Sequence, residues 1–197
     1  MICLLFSFAI GIGGGAFQIK GDNIVEPSYG PTAKIFSDFE FIPGLVYRIN
    51  IEAGRANAST HSMVYESIQQ GDSTVIIPIS GVLGDKFEFI HGNLSINWYP
   101  LTWQIKPYLS ARLGLMRWRF TQNGEVVMSL NGSNFDRYSI YLGGGTGVST
   151  EFSDFIFTIG VTSDFIFSVD KSWDEGFGTE DENEYTIGFE ISVAKEF

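Results

Sequence analysis

The end of the chain, from Glu184 to Phe197, alternates between apolar and polar residues. Successive side chains of a β-strand point to opposite faces, so this alternation predicts a strand with one apolar and one polar face. The apolar row is Tyr185, Ile187, Phe189, Ile191, Val193 and Phe197, interrupted at Lys195. A strand of a soluble β-sandwich could show the same alternation, so the assignment depends on the rest of the chain.

The same period of two recurs along the whole chain, in segments bounded by Gly, Pro, Asn and Asp. It predicts eight strands, which run over roughly 6–19, 32–42, 46–56, 87–99, 105–120, 138–152, 155–167 and 184–197. Short turns are expected near 43, 101 and 153, and long connections over 21–31, 58–86, 122–137 and 169–183. Within 58–86 the apolar run Val75–Ile79 has two interpretations. It is either a fully buried strand or part of a strand extension and small hairpin that lies beyond the wall formed by the eight strands, and we favour the hairpin.

The first stretch of the chain has three possible interpretations. Residues 1–19 carry no charge, which is compatible with a signal peptide, a membrane-spanning helix or a strand. A signal peptide needs a basic start, and a helix would have to absorb four glycines at about 1 kcal/mol each. As a strand, Phe8, Ile10 and Ile12 alternate with small residues. We expect most of this run to be the first strand, residues 1–5 to be a signal-peptide remnant, and 1–197 to form a single domain.

The two faces of the predicted strands differ in a way that indicates a membrane protein. One face is polar and rich in glycine, and the other is bulky and apolar. A soluble ligand-binding barrel has its apolar row inside, but these small and charged residues could not line an apolar cavity. The sequence therefore predicts an all-β fold, an eight-stranded antiparallel up-and-down transmembrane β-barrel. Aromatic girdles at the two membrane interfaces are assigned to Trp98, Tyr99, Trp103 and Trp118.

The composition excludes several classes of function. A net charge of −11 argues against binding to nucleic acid, which needs a basic face. A single cysteine, Cys3, and two histidines exclude a disulfide framework and a Cys/His zinc site, and we expect no cofactor and no metal. Gly143–Gly145 lies in mid-strand with no helix after it, so it is not a phosphate loop. These glycines are instead expected to make room for Tyr108, Arg112 and Tyr141.

Three segments resemble the small outer-membrane barrels of the OmpA/OmpX type, and the resemblance covers essentially the whole chain. They are the glycine-rich opening Ile10–Phe17, the segment Ile105–Leu115 and the terminal Phe197. The resemblance implies an integral protein of the Gram-negative outer membrane with both termini periplasmic. The implied partners are outer-membrane lipid, lipopolysaccharide and the barrel-assembly machinery, for which Phe197 is the C-terminal assembly signal. Lys195 departs from the pattern, because such strands usually carry an apolar residue there. We further expect a monomer.

Charged residues on the inner face are expected to be paired. Lys34, Glu52, Arg112 and Glu190 are assigned to similar depths inside the barrel. The interior of an eight-stranded barrel is just filled by side chains, and an isolated buried charge is costly, so we predict a cluster near mid-barrel. We interpret it as a structural network, with a gated polar plug as the alternative. A second pair, Glu40 with Arg48, is predicted across a hairpin centred on Gly44, with Phe41 opposite Tyr47.

Two other groups of residues raise the possibility of chemistry. His91 and Ser95 share the inner face of the fourth strand, as in a hydrolase with serine, histidine and a carboxylate. Both face away from lipid and neither lies in a nucleophile motif, so no catalytic role is assigned. The acidic loop could bind divalent cations, but its spacing lacks the calcium-loop pattern, and a solvated loop is expected. Its acidic residues are Asp170, Asp174, Glu175, Glu180, Asp181, Glu182 and Glu184.

These patterns favour a structural or surface-interaction protein, adhesin-like in role, with a side-chain-filled lumen and mobile acidic extracellular loops. Two other functions stay open: a narrow channel or conduit for small apolar molecules, and a lipid A-modifying barrel enzyme. Because no catalytic constellation is found, we predict that the protein is not an enzyme.

Overall fold

The structure, a computed structural model, describes residues 7–21, 24–70, 73–101, 103–127, 136–168 and 184–197. In chain order the strands of this part are β1 (Ser7–Lys20), β2 (Ile24–Val25), β3 (Gly30–Ile42), β4 (Leu45–Asn57), β5 (Ser59–Gln70), β6 (Ser73–Leu83), β7 (Lys86–Trp98), β8 (Ile105–Gln122), β9 (Glu125–Val126), β10 (Asp136–Phe152), β11 (Phe155–Ser168) and β12 (Glu184–Glu196). Among the described residues no helix is long and apolar enough to cross a membrane.

Eight of these strands form one closed antiparallel barrel. Its order is β1, β3, β4, β7, β8, β10, β11 and β12, and β12 pairs back onto β1. Gly13 of β1, for example, lies opposite Lys34 of β3 on one side and Ser192 of β12 on the other. The predicted fold and the eight predicted strands are confirmed, including the assignment of most of residues 1–19 to the first strand.

The barrel has two different ends. At one end, here called the turn end, β3–β4, β7–β8 and β10–β11 are joined by short connections, and β1 begins and β12 finishes. At the other end, the loop end, the connections are longer. The turn at Asn123–Gly124 joins β8 to the short β9, and both residues have positive φ, 53° and 87°. This conformation is the type I′ turn that Asn-Gly favours.

A second, smaller sheet lies in the connection between β4 and β7. β5 pairs with β6 from Thr60–Leu83 to Gln70–Ser73, and β2 pairs with the first residues of β5. Neither β5 nor β6 pairs with a barrel strand in the described part of the chain, so this hairpin lies beyond the wall at the loop end. The interpretation of 58–86 as a hairpin outside the wall is confirmed.

The register of the β3–β4 hairpin differs from the predicted one. Arg48 lies opposite Asp38, and Tyr47 lies opposite Phe39, each two residues away from the expected partners Glu40 and Phe41. The loop has two residues, Pro43 and Gly44, so it is not centred on Gly44, and a bulge between Glu40 and Ile42 shifts the pairing further. The Glu40 carboxylate accepts a hydrogen bond from the Gly44 amide at 2.8 Å, and it therefore holds the turn. The predicted Glu40–Arg48 ion pair is wrong.

The two faces of the wall are those that the alternation predicted. Every barrel strand carries exposed apolar side chains on its outward row, whereas most inward side chains are buried. On β12, Phe189 and Ile191 point outward, and Thr186 and Ser192 point inward and are buried. Exposed rows of Ile, Leu and Phe around a closed sheet are the surface that contact with lipid requires.

Candidate functional site inside and outside the barrel wall

The inside of the barrel contains an aromatic layer at the loop end. Phe17, Phe87, Phe89, Trp118 and Phe120 are all at least nine-tenths buried and come from β1, β7 and β8. Their rings are in contact: Phe17 and Phe89 meet edge to face with centroids 4.7 Å apart, and Phe87 lies 5.8 Å from Trp118. The Trp118 indole donates a hydrogen bond to the Ser139 hydroxyl at 2.9 Å. This layer is an apolar core inside the barrel.

An ionic layer lies next to the aromatic layer, near the middle of the barrel. Lys34 Nζ is 2.5 Å from Glu190 Oε2, and Arg112 Nε is 2.7 Å from Asp164 Oδ1. The Arg112–Asp164 contact is an ion pair with poor hydrogen-bond alignment, since neither atom has a well-directed partner. The side chains of all four residues are almost fully buried. Pairing is required at such a depth, because an isolated buried charge costs several kcal/mol.

His91 connects the two layers. Its Nε2 lies 3.3 Å from Glu52 Oε2, its Nδ1 is hydrogen-bonded to the Tyr141 hydroxyl, and its ring packs on Phe89. A cavity of about 20 Å³ lies between the layers and is too small for any solute larger than water. In the described part of the barrel, the aromatic and ionic layers occupy the lumen at the loop end and in the middle.

The turn end is more open. Arg48 forms a two-pronged ion pair with Asp38, at 2.7 and 2.9 Å, and its guanidinium lies 4.0 Å from the centre of the Phe36 ring. Beyond this pair is a cavity of about 170 Å³, lined by Ser7, Asp38, Glu40, Tyr99, Lys106, Ser149, Glu151 and Glu196 among others. The carboxylates here have partners, since Glu151 pairs with Lys106 and Glu196 accepts a hydrogen bond from Ser7. The cavity is a chamber below the ionic layer, and its lining also includes the apolar side chains of Val46, Leu101 and Ile156.

Inward-facing glycines make space for these side chains. A Cβ atom on Gly143 would fall 1.8 Å from Asp164 Oδ1, and one on Gly160 would fall 2.2 Å from the Tyr108 hydroxyl. On β1, a Cβ on Gly11 would meet the Phe36 ring at 2.2 Å. Glycine at these positions is therefore required by the side chain that packs over it inside the barrel.

The predicted lumen cluster is distributed over several pairs. The structure brings Lys34 and Glu190 into direct contact, and places Glu52 opposite Lys34 but in contact with His91. Arg112 forms an ion pair with Asp164. The alternation places Asp164 on the inner face, but the predicted cluster omits it. The predicted cluster also omits Asp38, His91 and Tyr141. All three lie on inward rows of β3, β7 and β10, so alternation was the signal that could have added them.

The girdle assignment is wrong for two of its four residues. Trp98 and Trp103 are exposed at the turn end, where a girdle is expected. Trp118 is 4% exposed and lies in the aromatic layer, on the inward row of β8 with Met116 and Phe120. Tyr99 turns into the barrel, with its ring 5.7 Å from that of Tyr108. Alternation accounts for both corrections, because each residue is one position away from an outward residue. Tyr138, exposed on the outer face near the loop end, was missed.

The remaining candidate residues do not form a reactive site in the described part of the chain. His91 and Ser95 are two inward positions apart with Asn93 between them, and His91 is bound to Glu52 and Tyr141. The acidic residues Asp170–Glu182 lie outside the described residues. Among the described residues no group of His, Cys, Asp and Glu is arranged to hold a metal ion. Phe197 lies at the turn end, where its amide donates to the Phe8 carbonyl oxygen at 2.9 Å and its ring lies 6.2 Å from that of Phe8.

A row of charged residues lies on the outer face near the loop end. Arg55, Glu88, Arg119 and Asp136 lie directly opposite one another across β4, β7, β8 and β10. Glu88 binds two arginines, with Arg55 Nε at 3.1 Å and Arg119 Nη2 at 2.7 Å. Arg117 donates two hydrogen bonds to Asp136, from Nε at 2.8 Å and from Nη2 at 2.5 Å. The row therefore consists of ion pairs between neighbouring strands.

Comparison with known proteins identifies the fold. No protein-family model matches the chain, and no curated protein matches it. The crystal structure of Neisserial surface protein A superimposes with a TM-score of 0.54 at 18% identity, covering 94% of this chain and 96% of that one. A major outer membrane protein of Thermus thermophilus has a TM-score of 0.47 at 14% identity, covering 98% of this chain and 100% of that one.

A third similar structure is that of Ail, the attachment invasion locus protein of Yersinia pestis, in complex with the heparin analogue sucrose octasulfate. The match has a TM-score of 0.44 at 13% identity and covers 98% of this chain and 99% of the Ail chain. At these identities the likeness concerns the fold, which the closed strand order and the outward apolar rows show independently. The chain is an all-β protein with the closed eight-stranded transmembrane barrel of the small bacterial outer-membrane proteins.

Proposed function

We propose that this protein is a monomeric outer-membrane barrel with a structural or surface-interaction, adhesin-like role. Its loop end faces the cell exterior, its termini are periplasmic, and the β5–β6 hairpin with the neighbouring loops makes the contacts. The lumen serves as a packed core and does not conduct solutes.

The observation that carries this proposal is the packing inside the barrel. Consecutive aromatic and ionic layers occupy the loop end and the middle, and the cavity between them is about 20 Å³. A barrel whose interior is filled by packed side chains has to make its contacts with other molecules through surfaces outside the lumen. The largest described element beyond the wall is the β5–β6 hairpin, whose strands of 12 and 11 residues are as long as a transmembrane strand.

The orientation is supported by the lengths of the connections. Transmembrane barrels have short periplasmic turns and longer extracellular loops, so the turn end is assigned to the periplasm. A role as an enzyme is not supported, because His91 is bound inside the wall and Ser95 does not contact it. A channel or conduit is less well supported than surface interaction, because the same buried residues would have to move out of the way.

The proposal is tested with cells that display the barrel with and without the hairpin. Thr60 and Leu83 lie directly opposite each other, so residues 61–82 can be replaced by Asn-Gly, which fits a two-residue hairpin loop. Attachment of the cells to epithelial monolayers, to abiotic surfaces and to one another is then measured. A peptide tag inserted at 71–72 and detected on intact cells tests the orientation.

The expected result is a surface-accessible tag and attachment that the shortened variant loses at equal expression. Glu151→Gln, at the turn end, serves as the matched control and should attach like the wild type. Equal attachment of cells with the hairpin, without the hairpin and without the protein would overturn the surface-interaction role. A tag that is detected only after the cells are opened would overturn the orientation.

A further inference from the structure

Among the described residues, the arginines on the outer face of the barrel lie on one side of it. Arg55, Arg117 and Arg119, here called the outer arginine cluster, lie on β4 and β8 with Glu88 and Asp136 between them. Their side chains are about half exposed, at 52%, 49% and 45%. At the loop end of β11, on another part of the wall, the outward residues are Phe165 and Phe167. The cationic surface is therefore local.

The cluster lies where the apolar band ends. On β8 the outward row from Ile105 to Leu115 is apolar and exposed, which is close to the roughly ten residues that a transmembrane strand needs. Arg117 and Arg119 are the next two outward residues. On β4, Arg55 likewise follows Ile49 and Ile51, and Tyr138, next to Arg117, is 68% exposed. Exposed tyrosine at such a boundary is typical of the membrane interface.

The charges of the cluster are incompletely balanced. Three guanidinium groups face two carboxylates, and Glu88 is shared between Arg55 and Arg119. A guanidinium has more N–H donors than a carboxylate has oxygens, so this arrangement leaves donors for another acceptor. The side chains of Arg55, Glu88, Arg117 and Arg119 also line a shallow cleft of about 330 Å³, together with Gly54 and Ile90. This local excess of positive charge occurs in a chain whose net charge is −11.

We propose that the outer arginine cluster binds the phosphate groups of lipid headgroups in the outer leaflet. The planar guanidinium matches phosphate in two-pronged geometry, and the exposed apolar rows below the cluster contact the acyl chains of the same lipid. The inference rests on the proposed orientation, in which the loop end faces outward. It assigns a specific lipid contact to one side of the barrel, in addition to the general contact of the apolar band.

The test uses the full chain in detergent micelles and native mass spectrometry. The protein is titrated with diphosphorylated lipid A and, separately, with the same lipid after its phosphates are removed. Arg55→Gln, Arg117→Gln and Arg119→Gln are combined in one variant. The matched control combines Lys106→Gln and Lys195→Gln at the turn end. A second variant, Glu88→Gln with Asp136→Asn, removes the competing carboxylates.

The phosphorylated lipid should bind the wild type more tightly than the dephosphorylated lipid. The triple arginine variant should lose about tenfold or more in affinity, because charge-assisted hydrogen bonds are lost, and the lysine control should not. The Glu88/Asp136 variant should bind more tightly. Equal binding of the two lipids, or of the triple variant and the wild type, would overturn the proposal. The proposal would also be overturned if the wild type formed a dimer and the triple arginine variant did not, because a second copy of the chain would then occupy the outer arginine cluster.

If the triple arginine variant does not fold, the Glu88/Asp136 variant tests the proposal by itself. Its affinity for the phosphorylated lipid should exceed that of the wild type, and an affinity that does not rise would count against the proposal. Binding in micelles depends neither on the hairpin nor on the orientation of the barrel in cells. A failed attachment assay and a failed lipid titration are therefore separate outcomes.

Discussion

Buried charges in this barrel are paired between strands, and the pairs are the most sensitive residues of the core. Arg112 and Asp164 come from β8 and β11, which are not neighbours in the wall, and they meet across the inside. Removal of one partner leaves a charge in a site closed to solvent. A buried pair that loses one member is typically destabilised by about 3–5 kcal/mol, whereas an exposed pair contributes about 0–1 kcal/mol.

Asp164→Asn is therefore expected to lower the free energy of unfolding by about 3–5 kcal/mol. Urea unfolding in lipid vesicles, followed by tryptophan fluorescence, measures the change. Glu151→Gln, which breaks the partly exposed pair with Lys106, is the matched control and should cost less than about 1 kcal/mol. The double variant Arg112→Gln/Asp164→Asn should be more stable than Asp164→Asn alone, because no charge is left unpaired. A double variant that is less stable would contradict the assignment.

Substitution of a glycine that makes room for the ionic layer should also lower the stability of the barrel. Gly143→Ala would place a methyl group 1.8 Å from Asp164 Oδ1 and 2.6 Å from the Ser163 carbonyl oxygen, so the backbone must shift. We expect a loss of about 1–3 kcal/mol in the same unfolding assay. Gly92→Ala is the control, because its Cβ would meet only the Asn50 carbonyl oxygen, at 3.9 Å. Similar stability of the two variants would count against the packing role of Gly143.

For single residues, the sequence predicted which face of the wall a side chain occupies better than it predicted which residue that side chain contacts. Alternation placed Lys34, Glu52, Arg112 and Glu190 inward, but depth was counted from the strand ends. Strands in a barrel are tilted and staggered, so equal counts on different strands do not give equal depths. Trp118 illustrates the opposite error: its chemical type indicated a girdle, whereas its position in the alternation indicated the interior.

Among elements, the strands were predicted closely, but the register of the β3–β4 hairpin was not. Most of the predicted strands border a loop or turn with Gly, Pro or Asn, and these residues set the boundaries. The β3–β4 register depends instead on a bulge near Phe41 and on the hydrogen bond from Gly44 to Glu40, which the alternation does not reveal. The β5–β6 hairpin was favoured because its apolar run, Val75–Ile79, lies in a long and mostly polar segment.

The hairpin should be dispensable for folding. Replacement of residues 61–82 by Asn-Gly removes no pairing of the barrel ring, because β5 and β6 pair only with each other and with β2 in the described part of the chain. The urea midpoint of this variant is expected to equal that of the wild type. A fall of the midpoint by as much as in Asp164→Asn would show that the hairpin is part of the folding core.

For the whole molecule, the layers inside the wall predict that the barrel is closed to ions. In planar bilayers the wild type should show no regular single-channel steps. The Phe87→Ala/Trp118→Ala variant opens only the aromatic layer, so the ionic layer should still close the lumen. Discrete conductance steps in either protein, absent from a mock preparation, would favour a channel function over the packed core.

The sequence alone determined that the chain is a closed antiparallel barrel with its apolar face outward. This information is local, because the period of two and the turn residues are both read from neighbouring positions. Only the tertiary structure decided that Arg112 meets Asp164, that Trp118 lies inside and that Arg55 joins Arg119 through Glu88. These contacts depend on strand stagger and on closure of the ring, which bring together residues far apart in the chain whose relative heights no single strand specifies.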